Sequence, residues 1–402
     1  MSEIILILLI LNFIHGIGTW KLYKISGNSA FHSFIPLYNV FVLLKIINRP
    51  WWWIFIVLMP VLNTIIIPVI WVELSRSFKK NSYTDTFLSI CTFGFYNYYL
   101  NYFETIEYVE DRDINPKSSN GEWTSSIIFA VIAATFVHTY FMQPYTIPTS
   151  SLEKSLLVGD FLFVSKFHYG ARVPMTTIAA PMVHDTIPII KARSYLNKKQ
   201  LPFLSELPYL RLPGFQKIKR NEIVCFNWPV DTFKNMYFTD KYYYKPIDKK
   251  TNYVKRAVGV PGDTLEIIDG YININGKPNN LDDRAKLQFS YFVETNRAGY
   301  NFRRNQLIKN YDITDEFSYL GGRNYYFPGI SELSLSKLKN HPAVKSIKKA
   351  YFLNGVLKEN DSLVTGVRDF SVFPHNKNFK WNNSYFGPIV IPKKGMKVEI
   401  NL

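Results

Sequence analysis

Two hydrophobic regimes divide the chain near residue 145. Before it, apolar residues come in long blocks. Ile4–Phe13 opens the first block after Met1-Ser2-Glu3. That start lacks the basic flank and small-residue cleavage site of a removable leader, so Glu3–Trp20 reads as a retained first span. A second block, Phe31–Val72, carries the aromatic run Trp51-Trp52-Trp53, of the kind that settles at a bilayer interface, and is interrupted by Pro60 and Pro68. It is read as one kinked span with an interfacial segment, or as a hairpin. Phe87–Phe103 is a short Tyr- and Phe-rich candidate, and Ser126–Met142 has no formal charge over about 17 residues, near the lower limit for ~30 Å of hydrocarbon. The pattern predicts three to five spans, with four as the central expectation.

Orientation does not come out cleanly. Lys21, Lys24, Lys45 and Arg49 favour a cytoplasmic segment after the first span. Four spans then leave the N-terminus and the large C-terminal region outside, but Arg76, Lys79 and Lys80 fall on the wrong side.

Beyond Tyr145 the period shortens. Asp160–Phe167 alternates and is β-branched or aromatic, as a strand requires. Glu222–Asn227, Tyr253–Val260, Thr264–Ile268 and Tyr271–Ile274 repeat the style, with tight-turn signals at Asp269-Gly270 and Asn275-Gly276. Ser331–Lys349 is the clearest helical exception, interrupted by Pro342. The expected architecture is a multi-span α-helical membrane region, residues 1–145, followed by a mainly β domain, residues 146–402, with long insertions near 171–219 and 277–374.

Composition narrows the function classes. Cys91 and Cys225 are the two cysteines, too few and too far apart for a disulfide framework or a cysteine zinc site. The seven histidines are scattered and no HExxH occurs, which argues against a zinc protease; no metal or cofactor is expected. The net charge of +16 fits solvated Lys-rich faces or an anionic bilayer surface. No long basic tract or nucleic-acid module is present, so nucleic acid is not an expected partner.

Two short runs carry candidate chemistry. Ile147–Asp160 reads IPTSSLEKSLLVGD and follows the last apolar block directly; Asn252–Asp263 reads NYVKRAVGVPGD. A serine hydroxyl is a weak nucleophile until a base takes its proton. Lysine can be that base only when neutral, a state that apolar burial favours. Strand alternation puts Tyr253, Lys255 and Ala257 on one face. Read blandly, Lys255 is a solvated strand residue and Ser150 or Ser151 a helix N-cap. The same turn geometry can aim backbone N–H groups at a developing oxyanion.

Together the runs resemble bacterial type I signal peptidase. That family carries Pro-Ser-x-Ser-Met after its last span, then Leu-hydrophobic-Gly-Asp and Lys-Phe-x-Tyr-Gly. The counterparts are Pro148-Thr149-Ser150-Ser151-Leu152, Leu157-Val158-Gly159-Asp160 and Lys166-Phe167-His168-Tyr169-Gly170. The family's base motif, Tyr-x-Lys-Arg-x-hydrophobic-Gly-x-Pro-Gly-Asp, matches Tyr253 to Asp263, and Asn221–Phe226 resembles its Gly-Asp-hydrophobic-Val-x-Phe run. The resemblance implies a signal-peptidase-like catalytic domain with Ser151 as nucleophile and Lys255 as general base. It implies an oxyanion hole from Thr149 and the Ser151 N–H. Tyr145, Ile147, Pro148, Leu152, Leu156, Tyr253 and Val254 would line shallow apolar pockets that take small residues at positions −1 and −3 of a signal peptide. The implied partners are preprotein signal peptides and the lipid bilayer. The implied location is the bacterial inner membrane, multi-pass, with the catalytic domain on the outer face.

Two departures accompany the match. Leu152 stands where the family has Met, a swap that keeps volume. The family's Gly-Asp-Asn-Arg-Asp-Asn-Ser run, which supplies a serine that orients the lysine, is not found; the chain closes on Lys397–Leu402, which reads as a strand. The expectation is a domain incomplete at its C-terminal end, complemented by a further segment, or a degenerate copy. A Ser151/His184/Asp185 triad has no supporting spacing. A membrane scaffold or transporter would need intramembrane charges, which the clearest spans lack.

Overall fold

The computed structural model describes residues 2–116, 118–196, 206–232 and 242–397. The strand expected at Lys397–Leu402 falls, beyond Lys397, outside the described residues. The chain forms two compact units. The first comprises Met1–Pro144, Phe163–Lys217 and Phe226–Tyr253, and the second Tyr145–Leu162, Ile218–Cys225 and Val254–Leu402.

Helices dominate the first unit. They are α1 (Ser2–Ile25), α2 (Tyr38–Ile46), α3 (Trp53–Leu58), α4 (Asn63–Ser77), α5 (Tyr83–Cys91), α6 (Tyr96–Tyr102) and α7 (Ser119–Tyr140). Among the described residues two are long and apolar enough to cross a bilayer, Ile5–Ile25 and Ser119–Tyr140. The apolar blocks between them fold as shorter helices, for local reasons. Met59 is extended, as a residue before proline tends to be, and Val61 adopts a positive φ of 70°, so α3 and α4 separate around Pro60. Pro68 is accommodated inside α4. Phe93 and Gly94 both take positive φ, which parts α5 from α6. Ser82 and Asp85 form a reciprocal capping box that starts α5, and Ser118 Oγ accepts from Gly121 N (3.2 Å) at the start of α7.

Leu22, Tyr23, Leu44, Ile47, Ile66, Leu74, Phe78 and Leu100 build the core of this helical region. Gly16 and Gly18 let α1 sit close to its neighbours. A Cβ at Gly16 would lie 2.4 Å from the Phe34 ring, and one at Gly18 2.3 Å from the Tyr98 ring. Arg49 and Arg112 both pair with the buried carboxylate of Glu73, which satisfies a charge that burial would otherwise penalise.

The strands are β1 (Met142–Thr146), β2 (Phe161–Ser165), β3 (Glu222–Asn227), β4 (Asn252–Ala257), β5 (Thr264–Ile268), β6 (Tyr271–Ile274) and β7 (Lys277–Pro278). They continue with β8 (Gln288–Thr295), β9 (Ser318–Gly321), β10 (Asn324–Ser331), β11 (Val344–Lys349), β12 (Tyr351–Leu353), β13 (Val356–Lys358) and β14 (Phe386–Val390). β1 pairs with β2 and β3 with β4, while β14-β5-β6-β7 and β11-β8-β10-β9 are four-stranded sheets. The alternating runs Thr264–Ile268 and Tyr271–Ile274 are β5 and β6, and Asp269 adopts φ 49° in the turn between them.

Within the second unit, residues 288–349 form a small α/β layer. Helices α8 (Arg304–Tyr311) and α9 (Glu332–Lys339) pack on its sheet around Val293, Phe302, Ile313, Tyr325, Phe327 and Leu338. The helix expected over Ser331–Lys349 occupies only its first half. Ser331 Oγ caps α9 by accepting from Ser334 N (3.2 Å); the helix closes ahead of Pro342, and Val344–Lys349 is strand β11.

Candidate active site

The second unit brings the two sequence motifs together. After β1, Ile147 is buried and its backbone is held on both sides, its N–H donating to Asp160 O (3.0 Å) and its carbonyl accepting from Gly159 N (2.9 Å). Asp160 turns back to accept from Leu157 N (2.8 Å). These bonds close the loop 147–160 at its neck. Inside it, Ser150–Leu152 forms a single 3₁₀ turn, stitched by Glu153 N to Ser150 O (2.8 Å) and Leu156 N to Leu152 O (2.8 Å). Ser151 is exposed at the turn, and Thr149 Oγ1 lies 3.5 Å from Ser151 Oγ.

Strand β4 carries Lys255 to the same place. Asn221 N donates to Ala257 O (2.7 Å), and the Arg256 guanidinium donates to Asn221 O (2.8 Å) and to Ser155 Oγ (2.8 Å). Arg256 thus ties β4 to both the start of β3 and the serine loop. Its neighbour Lys255 donates from Nζ to Ser151 Oγ. The Lys255 side is partly buried.

The turn after β4 is braced by charge. Arg220 donates from Nε to Asp263 Oδ2 (2.7 Å) and from Nη2 to Oδ1, while Val260 N (2.9 Å) and Asn275 Nδ2 (3.1 Å) donate to the same carboxylate. The Arg220 hydrogen bonds, first among these contacts, hold the Asp263 carboxyl well below the usual carboxylate range.

Of the other predicted site residues, Tyr145, Ile147, Pro148, Leu152, Leu156 and Val254 belong to the second unit. Ile147 is buried, Tyr145, Leu152, Leu156 and Val254 are partly exposed, and Pro148 is exposed. Tyr253 belongs to the first unit, where its ring meets Trp228 edge-on at 5.1 Å. His184 and Asp185 also lie in the first unit, whereas Ser151 lies in the second. Burial pushes the His184 imidazole down, below its ordinary value. No group of three or more His, Cys, Asp or Glu side chains among the described residues could hold a metal ion.

Sequence reasoning did not single out Arg256, Arg220 or Ser155 as supports. Arg256 could have been flagged, since its neighbour Lys255 was already a candidate base. The Arg220–Asp263 pair joins residues 43 apart, beyond any local motif.

A family model described as signal peptidase, peptidase S26, matches residues 120–324, just over half of the chain. The chain therefore belongs to the signal peptidase family of serine endopeptidases. Its curated relatives are proteins described as signal peptidase I. The one from Rickettsia massiliae (strain Mtu5) is 26% identical over 161 residues, 40% of this chain and 45% of the relative. The one from Rickettsia canadensis (strain McKiel) is 24% identical over 235 residues, 55% and 72% of the two chains. That from Rickettsia akari (strain Hartford) is 24% identical over 227 residues, 53% and 69%. The chain thus spans under half the length of the first of these relatives. Residues 31–111 match a family of unknown function (DUF5684). No solved structure matches the chain.

Proposed function

We propose that the chain removes signal peptides from exported preproteins at a membrane surface, cutting after small residues of the Ala-x-Ala type. The reading rests on one observation, the Lys255 Nζ hydrogen bond to Ser151 Oγ. In this reading Lys255 acts as an uncharged amine. It accepts the Ser151 hydroxyl proton while Oγ bonds to the scissile carbonyl carbon, and it passes that proton to the departing amine as the C–N bond breaks. Water then attacks the acyl-enzyme with the same amine as base, freeing Ser151 and the signal-peptide carboxylate. The Ser151 N–H and the Thr149 hydroxyl stabilise the oxyanion. Tyr145, Ile147, Pro148, Leu152, Leu156 and Val254 are the proposed pocket residues, and Tyr253 joins them by family resemblance alone.

The same reading makes the chain a multi-pass protein of the bacterial inner membrane, its peptidase region on the outer face. A segment bearing the family's Gly-Asp-Asn-Arg run, supplied in cis or in trans, is a further proposed partner. The test is cleavage of a preprotein whose signal peptide ends in Ala-x-Ala by membranes containing the full chain, with and without that segment. Ser151→Ala and Lys255→Ala should each reduce cleavage at least about 10³-fold at equal expression, the scale on which members of a nucleophile–base pair act. Cleavage that survives both substitutions defeats the proposal.

A further inference from the structure

The two residues that follow the candidate serine turn point away from it, into the small α/β layer of the same unit. Lys154 Nζ donates to the Asp312 carbonyl oxygen (2.9 Å) and to Asp312 Oδ1 (2.6 Å). Its side chain is 7% exposed. Thr314 Oγ1 donates to Glu153 Oε1 (3.3 Å). Between Asp312 and Thr314 lies Ile313, 1% exposed in the core formed with Val293, Phe302 and Phe327. The segment 312–314 is therefore anchored by its middle residue and grips the serine turn with the residues on either side.

Two further features agree. Asp312 is the left-handed C-cap of α8 (φ 56°, ψ 37°), so the Lys154 ammonium sits at the electronegative end of that helix. Lys154 itself has φ 69°, a region unfavourable for a side-chain-bearing residue. Such a conformation persists where its surroundings over-determine it. The partners that over-determine it lie 158 residues away, in a layer that supplies neither residue of the Ser151–Lys255 contact.

We infer that Lys154 is a positioning residue, and that residues 288–349 act as a clamp that fixes the Ser151 turn through Asp312 and Thr314. The inference rests on Ser151 being the nucleophile. The clamp would hold Oγ at Lys255 before substrate arrives, so its loss should fall on kcat rather than on KM.

The experiment uses the full chain in membranes or detergent, with Lys154→Met, Lys154→Gly, Asp312→Gly and the Lys154→Met/Asp312→Gly pair. Glycine accepts positive φ freely, so Lys154→Gly relieves the backbone while removing the ammonium. Asp312→Gly removes the carboxylate without straining the cap. The expected result is a fall in kcat of about tenfold or more in both Lys154 variants, KM within about threefold, and a double variant no worse than Lys154→Met. Recovery of wild-type kcat in Lys154→Gly would reduce Lys154 to a backbone role and overturn the clamp. Hydrogen exchange at the amides of residues 150–156 gives a reading that needs no turnover. It should quicken about tenfold or more in Lys154→Met and Asp312→Gly, with the β8 amides unchanged. Unchanged exchange in the turn defeats the inference. Ser151→Ala separates the two proposals, since it should abolish cleavage yet leave exchange slow.

Discussion

At the scale of single residues, the proposed reacting pair is surrounded by groups that brace the segments carrying it. Asp263 shows this. Its carboxylate is 3% exposed and receives hydrogen bonds from Arg220, Val260 N and Asn275. Because Arg220 chiefly depresses its folded-state pKa, Asp263 contributes stability that is present above the ordinary unfolded value, about 4, and is lost as pH falls below it toward the folded value. Asp263→Asn should therefore lower the melting temperature at pH 7, and the gap from wild type should narrow as pH falls below about 4. A gap that stays constant between pH 7 and pH 3 means the charge is not its source. The proposed reacting residues could be named from the sequence because each sits in a compact motif, Pro148–Leu152 and Tyr253–Asp263. Their supports could not. Lys154 and Asp263 lie inside the quoted runs, but their partners Asp312 and Arg220 are 158 and 43 residues away, and nothing local pairs them.

Elements were legible to the degree that pattern and turn chemistry agreed. Thr264–Ile268 and Tyr271–Ile274 came out to the residue because alternation on both sides meets an Asp-Gly turn whose Asp269 takes positive φ. Ser331–Lys349 divided into helix and strand because its spaced lysines fit either period, and Pro342 marks the boundary. β14 depends on a feature that no periodicity reveals. Gly387 has φ 93°, and a Cβ there would lie 2.7 Å from Leu265 O and 3.2 Å from Glu266 Cα, both backbone atoms of β5. Neither can yield without parting the Phe386–Ile267 and Ile389–Leu265 register. Gly387→Ala should detach β14, raising hydrogen exchange along β5 and β14 while β8 and β10 stay protected. Equal protection of β5 in the variant and wild type would show that the strand tolerates the added carbon.

At the scale of the whole molecule, the contacts of the first unit bear on the orientation conflict that the charges raised. The second apolar block folds back on itself. Arg49 and Glu73 pair at its base (3.3 Å), and Val61 lies midway between them, 12 residues from each. The returning arm is α4, whose 15 residues, Asn63–Ser77, rise about 22 Å. The helix ends at Ser77, short of the ~30 Å of hydrocarbon, and Lys79 and Lys80 follow it directly. Those lysines pair with Glu107 and Glu104 (2.5 and 2.8 Å), and Asn48 donates to Glu110 O (2.8 Å). One level therefore holds Asn48, Arg49, Lys79, Lys80 and residues 104–112. At the other end, Val61 packs with Ala179 and Tyr195, which follow α7 in sequence. If such a hairpin enters the bilayer from the cytoplasmic side, Arg49, Lys79 and Lys80 share one face and the conflict is removed. The prediction concerns Val61→Cys/Ala179→Cys in a Cys91→Ser/Cys225→Ser background. A short thiol cross-linker that cannot enter cells should join the pair from outside intact cells, while a Lys80→Cys variant reacts with an impermeant thiol reagent only after permeabilisation. Lys80→Cys labelling in intact cells, or no Val61–Ala179 product, would place the whole segment between α1 and α7 on one side and return the count to two spans.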